Sequence, residues 1–171
     1  MFTKASIETY FLAEKNAQLI CLLLGVAALL LAALFFFYYK TDKTKGAAIF
    51  LLVMGVFFGI VGFIGYQQND ALRLQQLYAF DMNPSSLKSK AVPSVQQYIR
   101  VIINLHMLGF VLGLLGLGGY LFTRFKKTAA VWQGAALAAF AMACIMAGMS
   151  YLSYDRIHHY LESLQTFTAA F

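Results

Sequence analysis

The sequence has little charge. Only 12% of its 171 residues are Asp, Glu, Lys or Arg and 61% are hydrophobic, against roughly a quarter charged and about half apolar in soluble domains. That balance excludes an ordinary soluble domain and predicts a membrane protein. Cysteine is scarce too: Cys21 and Cys144 form no CxxC pair, which argues against a disulfide-exchange enzyme. Both sit at similar expected depth, so pairing between them stays open. GxSxG, HExxH, a phosphate loop, a framed carboxylate pair and the Glu-x-x-His motifs of diiron bundles are all missing, so nothing announces an enzyme. No cofactor is expected from these motifs, with haem, copper and quinone kept as alternatives.

What is present is long and apolar. Four segments, 16–39, 46–69, 101–123 and 128–154, contain no Asp, Glu, Lys or Arg. Each supplies the ~20 residues a helix needs to cross ~30 Å of hydrocarbon. The expectation is an all-α, integral membrane four-helix bundle, one domain over 1–171, built from hairpins 1–82 and 93–171. The first apolar segment begins late and lacks the flanks of a signal peptide, so it is expected to remain in the mature protein.

Charge orients that bundle. Six of the thirteen basic residues fall in the two short connections, 40–45 and 124–127. By the positive-inside rule these loops are cytoplasmic and both termini lie outside. The net charge of +6 then sits mainly near anionic headgroups, and no nucleic-acid partner is needed to explain it.

Glycine is concentrated in two stretches, "GVFFGIVGFIGY" and "GFVLGLLGLGGY". Gly55, Gly59, Gly62 and Gly65 share one stripe of a helix, as do Gly109, Gly113, Gly116 and Gly119. Small residues at such spacing let helices approach closely in lipid, where little hydrophobic drive brings them together. The stripes serve packing within the bundle, or a face for another copy, a partner helix or a flat lipid.

The helices are expected to run past the outer membrane face. "QQNDALRLQQLYAFDMNP" continues the helical period to a break at Asn83 and Pro84, and "LSYDRIHHYLESLQTF" places Ile157, Tyr160, Leu161, Leu164 and Phe167 on one seam. Pro93 suits a first helical turn. The stretch "NPSSLKSKAV", 83–92, reads as the linker. A weak tandem repeat aligns Tyr66 with Tyr151 and Asp70 with Asp155.

Polar residues collect at one level, the outer interface: Glu14, Asp70, Arg100, Asn104, His106, Asp155, Arg156 and His158. Lys15, Asn16, Asn69 and His159 accompany them. His106 stands out because it lies inside an apolar run, where ionisable groups are normally tied to a partner or a function. Met142, Met146 and Met149 follow helical spacing and read as core filling rather than a copper set.

The opening "FTKASIETYFLAEKNAQLI", then "FFFYYKTDKTKGAAI" and "YAFDMNP", resembles a family of small, largely uncharacterised bacterial membrane proteins. The resemblance covers the first half of the chain. It implies a bacterial inner membrane and no activity. The functional expectation is a non-enzymatic membrane protein that binds a membrane or periplasmic partner, or another copy, through its outer stub and glycine faces. Small four-span immunity proteins and accessory subunits act in that way. The alternatives are an oligomeric channel or carrier, and a redox or lipid-binding subunit with a site near His106.

Overall fold

The structure, a computed structural model, describes residues 2–39, 41–126 and 130–169. Helix α1 covers Lys4–Leu34 and continues as a π-helical segment, Phe35–Tyr39. Helix α2, Asp42–Met82, is followed by a single turn, α3, Pro84–Ser86, and a second π-helical segment, Leu87–Ala91. Helices α4, Val92–Lys126, and α5, Ala130–Thr168, complete the chain. Among the described residues there is no strand, and four helices are long and apolar enough to cross a membrane.

Local chemistry sets the helix starts. Thr3 accepts the backbone N–H of Ser6 while Ser6 Oγ accepts that of Thr3, and Thr41 and Thr44 repeat the exchange ahead of α2. Each pair satisfies two donors that a helix N-terminus leaves free. At its other end α2 stops where the residue before a proline disfavours helix: Asn83 leaves the helical region with φ −152° and ψ 76°. The 41 residues of α2 measure about 60 Å at 1.5 Å each, roughly twice a hydrocarbon thickness.

The expected linker 83–92 is not an irregular loop. Its backbone stays helical through α3 and the π-helical segment, and Leu87 and Ala91, four residues apart, are buried. Leu87 is fully enclosed by the cluster of Ile7, Phe11, Val95, Ile157 and Leu164. Two apolar residues on one helical face outweighed the Pro and Ser around them. Lys40 and Lys127 of the basic connections lie outside the described residues. Cys21 is buried with its thiol 3.6 Å from the Phe58 carbonyl, Cys144 is exposed, and both are free thiols.

Packing is pairwise. Helix α1 lies along α2, α4 along α5, and α2 along α5, whereas the backbones of α1 and α4 stay apart. Glycine makes the close pairs possible. A Cβ at Gly25 would fall 2.5 Å from the Gly59 nitrogen, one at Gly62 2.5 Å from the Leu22 nitrogen, and one at Gly116 2.7 Å from the Phe140 nitrogen. Gly113 and Gly119 face the methyls of Ala143 and Ala136, and Gly109 faces Met146. At the basic-loop end Gly46 meets the backbone of Val131 and Gly134 that of Lys43, which joins α2 to α5. Both stripes are therefore largely taken up inside the chain.

Two cores result. One, at the end carrying the termini, gathers Phe2, Ile7, Phe11, Val95, Ile157, Tyr160 and Leu164. The other lies within the apolar spans around Cys21, Ala28, Met54, Phe58, Met142 and Met146. Outside them the spans remain apolar: Leu30, Ile60, Leu115 and Leu137 are exposed. Such helices, hydrophobic all round, need an apolar surrounding. Phe36, Phe37, Tyr38, Tyr39, Phe125 and Trp132 are exposed at the basic-loop end.

The glycine geometry discriminates between neighbours. Gly25→Ala should lower stability by about 1–3 kcal/mol through overpacking. Gly59→Ala, whose Cβ would meet nothing within 4 Å, should leave stability unchanged or raise it by up to about 1 kcal/mol through helix propensity. Thermal unfolding of the two variants in one detergent checks both.

Candidate functional site

A buried carboxylate organises the termini end of the bundle. Glu14 lies two residues before the first charge-free segment, on the face of α1 that also buries Ile7, Phe11 and Cys21. The helical period that makes α1 amphipathic there carries its side chain inward, where it is 5% exposed. A charge so placed needs partners. Tyr98 of α4 donates to Glu14 Oε1 at 2.6 Å, and Gln18 Nε2, one turn on, donates to the same oxygen at 3.1 Å. Gln18 also reaches the Tyr98 hydroxyl at 3.2 Å, closing a three-membered network. Arg156 of α5 stands 3.6 Å from Glu14 Oε2 and is steadied by Ser153 at 3.1 Å.

Aromatic residues wall this network. Tyr10 stacks on Tyr160 at 4.1 Å between centroids, and Tyr160 donates to Gln76 of α2. Burial first, then the neighbouring Glu14 carboxylate, pushes the phenols of Tyr10 and Tyr98 well above the ordinary tyrosine value. Tyr98 therefore stays protonated and remains a donor.

Gly65 belongs to the same assembly. A Cβ there would fall 2.5 Å from Gln18 Oε1. The glycine thus makes room for the glutamine on the facing helix.

From this polar end a cavity of about 580 Å³ extends among the helices. Its polar walls include Glu14, Gln18, Asn69, Gln76 and Tyr98, and its far walls are Cys21, Phe57, Phe58, Val61, Leu105, Met146 and Met149. That is a volume typical of small-molecule sites, mostly apolar with a few polar groups at one end. Among the described residues four buried side-chain atoms make no hydrogen bond: the acceptors Glu14 Oε2, which faces Arg156, and Asn69 Oδ1, and the donors Arg73 Nε and Arg156 Nε.

The eight polar residues of the expected interface cluster divide. Glu14 and Arg156 come together. Asp70 pairs instead with Lys15 at 2.6 Å, with Arg73 at 3.9 Å, beside the cavity level. Lys15 also lies over the Tyr66 ring, 4.8 Å from its centroid. Arg100, Asn104 and His106 are exposed on the outer side of α4. Asp155 and His158 are exposed on α5, meeting His159 and Glu162 of their own helix. His106, which depth alone singled out, thus faces away from the core that holds Met142 and Met146. Among the described residues no three His, Cys, Asp or Glu side chains group to hold a metal ion. The aligned repeat positions Asp70 and Asp155 have unlike partners.

Hydropathy and charge in the sequence single out none of Tyr10, Tyr98 and Gln18. The available signal was the Glu14–Gln18 spacing of four, which puts both on one face, opposite a glycine stripe with room for a side chain. The chain matches no protein-family model, no curated protein and no solved structure.

Tyr98→Phe removes a hydrogen bond to a buried charge and should cost about 1.5–3 kcal/mol. In a Glu14→Gln background the same change should cost only about 1 kcal/mol, measured as a double-mutant cycle of unfolding. The Lys15–Asp70 pair sets a pH window. Its hydrogen bond holds the Asp70 carboxyl below its ordinary value and the Lys15 ammonium above its own. The Asp70 contribution is present above the unfolded value of about 3.9 and lost as pH falls through the folded one; the Lys15 contribution is present below about 10.4 and lost as pH rises. Melting temperatures across that range should converge with those of Lys15→Met at both extremes.

Proposed function

We propose that the chain is a multi-pass protein of the bacterial inner membrane, without enzymatic activity of its own, that holds one small amphipathic molecule in the cavity between its helices. The observation that carries this reading is the cavity itself. Its apolar part lies among residues of the charge-free spans, and its polar part lies where those spans end. A ligand there would keep its tail at the depth of lipid chains and its head at the interface. Exposed aromatics at the basic-loop end suit a membrane interface, and the basic connections suit the cytoplasmic side. Both termini and the polar end of the cavity are then periplasmic.

A second reading, docking of another membrane or periplasmic protein, is favoured by the stub. Leu74, Tyr78 and Met82 form an exposed stripe at four-residue spacing beyond the apolar span of α2. The glycine faces contribute less to such docking, since most of their surface meets α1 or α5.

Native mass spectrometry of gently extracted protein separates the two. The expected result is the 19.0 kDa chain with one retained lipid-sized mass, lost in Val61→Trp, which fills the cavity. A bare chain accompanied by a stoichiometric protein, released by Tyr78→Glu, would favour the stub instead.

A further inference from the structure

We infer that the cavity opens sideways between α2 and α4 and takes one acyl chain of a membrane lipid from the leaflet on the termini side. This rests on the reading of the cavity as a ligand site in a membrane, and adds the class of ligand and its route. The lining residues divide by exposure. Those from α1 and α5, among them Gln18, Cys21, Met149 and Ser153, are all buried or half-buried, and every exposed one lies on α2 or α4. On α2 they include Phe57, Val61, Ile64 and Gln68, one stripe of the helix, and on α4 Gln97 and Val101, one turn apart. Helix α2 packs along α1 and α5, and α4 along α5, whereas the backbones of α2 and α4 do not pack along each other. The two exposed edges are therefore the lips of the opening. Other ways in are closed. At the polar end Tyr10 stacks on Tyr160, which donates to Gln76, and the seam between α1 and α4 is bridged by Tyr98, Glu14 and Gln18. Toward the basic loops Ala28, Leu51, Met54 and Met142 are packed in a core.

Height and chemistry of the slot select the occupant. Phe57 stands at the middle of the charge-free run 46–69 and Gln68 at its outer end. The stretch between them measures about 16 Å at ~1.5 Å per residue, roughly half of the ~30 Å hydrocarbon thickness. The opening is thus one leaflet high. Its lips are apolar at Phe57, Val61, Ile64 and Val101 and become neutral and polar at Gln68 and Gln97. The apolar part offers water few partners, and left empty it would forfeit dispersion contacts along its walls. A lipid chain supplies those contacts without leaving hydrocarbon. The head, too costly to draw through the apolar part, stays at the level of the two glutamines, whose amides suit ester and glycerol oxygens.

The test uses the full chain in phosphatidylcholine nanodiscs and two probes with a mid-chain diazirine: a phosphatidylcholine built into the bilayer, and a free long-chain alcohol. After illumination, labelled positions are mapped by peptide mass spectrometry, with Cys21 and Met149 as back walls and exposed Met107 as the lipid-facing reference. The phosphatidylcholine probe should label the back walls to within severalfold of Met107. Val101→Trp, which narrows the slot from its α4 lip, should cut wall labelling severalfold and leave Met107 unchanged. Ile60→Trp, at an exposed position of α2 outside the lining, should change neither. Walls labelled by the alcohol but not by phosphatidylcholine would overturn the lipid assignment and leave the ligand site standing. Wall labelling by phosphatidylcholine that Val101→Trp does not reduce would overturn the slot as the route. If neither probe labelled the walls, the ligand-site reading itself would fall, and the proposal with it. Should Val101→Trp fail to fold, Ile64→Trp on the opposite lip gives the same readout.

Discussion

Close backbone approach between helices is the constraint on which the rest of this structure depends. Helices whose surfaces are apolar on all sides gain little from meeting one another in an apolar surrounding, so contact relies on short-range dispersion and thus on small residues. Gly25 against Gly59, Gly62 against Leu22 and Gly116 against Phe140 press α1 onto α2 and α4 onto α5. Gly46 and Gly134 then lock α2 to α5 at the basic-loop end. With its glycines directed to α5, α4 is held away from α1, and the space between these two helices is bridged by side chains instead of backbone.

That division explains why the polar network and the cavity coexist. Where α1 and α4 are each closed against a neighbour but not against one another, long side chains must span the seam between them. Glu14, Gln18 and Tyr98 do so at the termini end, with Arg156 balancing the charge. Below them the seam is left to apolar side chains that do not fill it, and the cavity follows. The aromatic cluster of Phe2, Tyr10, Phe80, Tyr160 and Phe167 closes the end above. Leu87, inserted from the connection between the hairpins, ties them together there.

Much of the fold was legible because its signals are local. Charge-free runs and the break at Asn83–Pro84 depend on neighbours in sequence. The one element misread locally was 83–92, where Ser, Lys and Pro suggest a loop but Leu87 and Ala91 share a buried face. The site was half legible. Glu14, Asp70, Asn69 and Arg156 were all placed near one level from their distance to the span ends. Level says nothing of azimuth, however: Glu14 turns into the core from α1, whereas His106 is exposed on α4.

The sequence by itself determined that the chain is helical, that four segments can cross a membrane, and that two of them carry a continuous small-residue stripe. These follow from hydropathy and the 3.6-residue period, properties of each helix taken alone. Only the tertiary structure decided which helix each stripe meets, that Gly65 accommodates Gln18, and that Glu14 rather than His106 turns inward. It also decided that α1 and α4 stand apart around a cavity. Those outcomes depend on how four helices rotate and pair, and pairing is a matter of contact between residues as distant in sequence as Glu14 and Arg156, which no local pattern encodes.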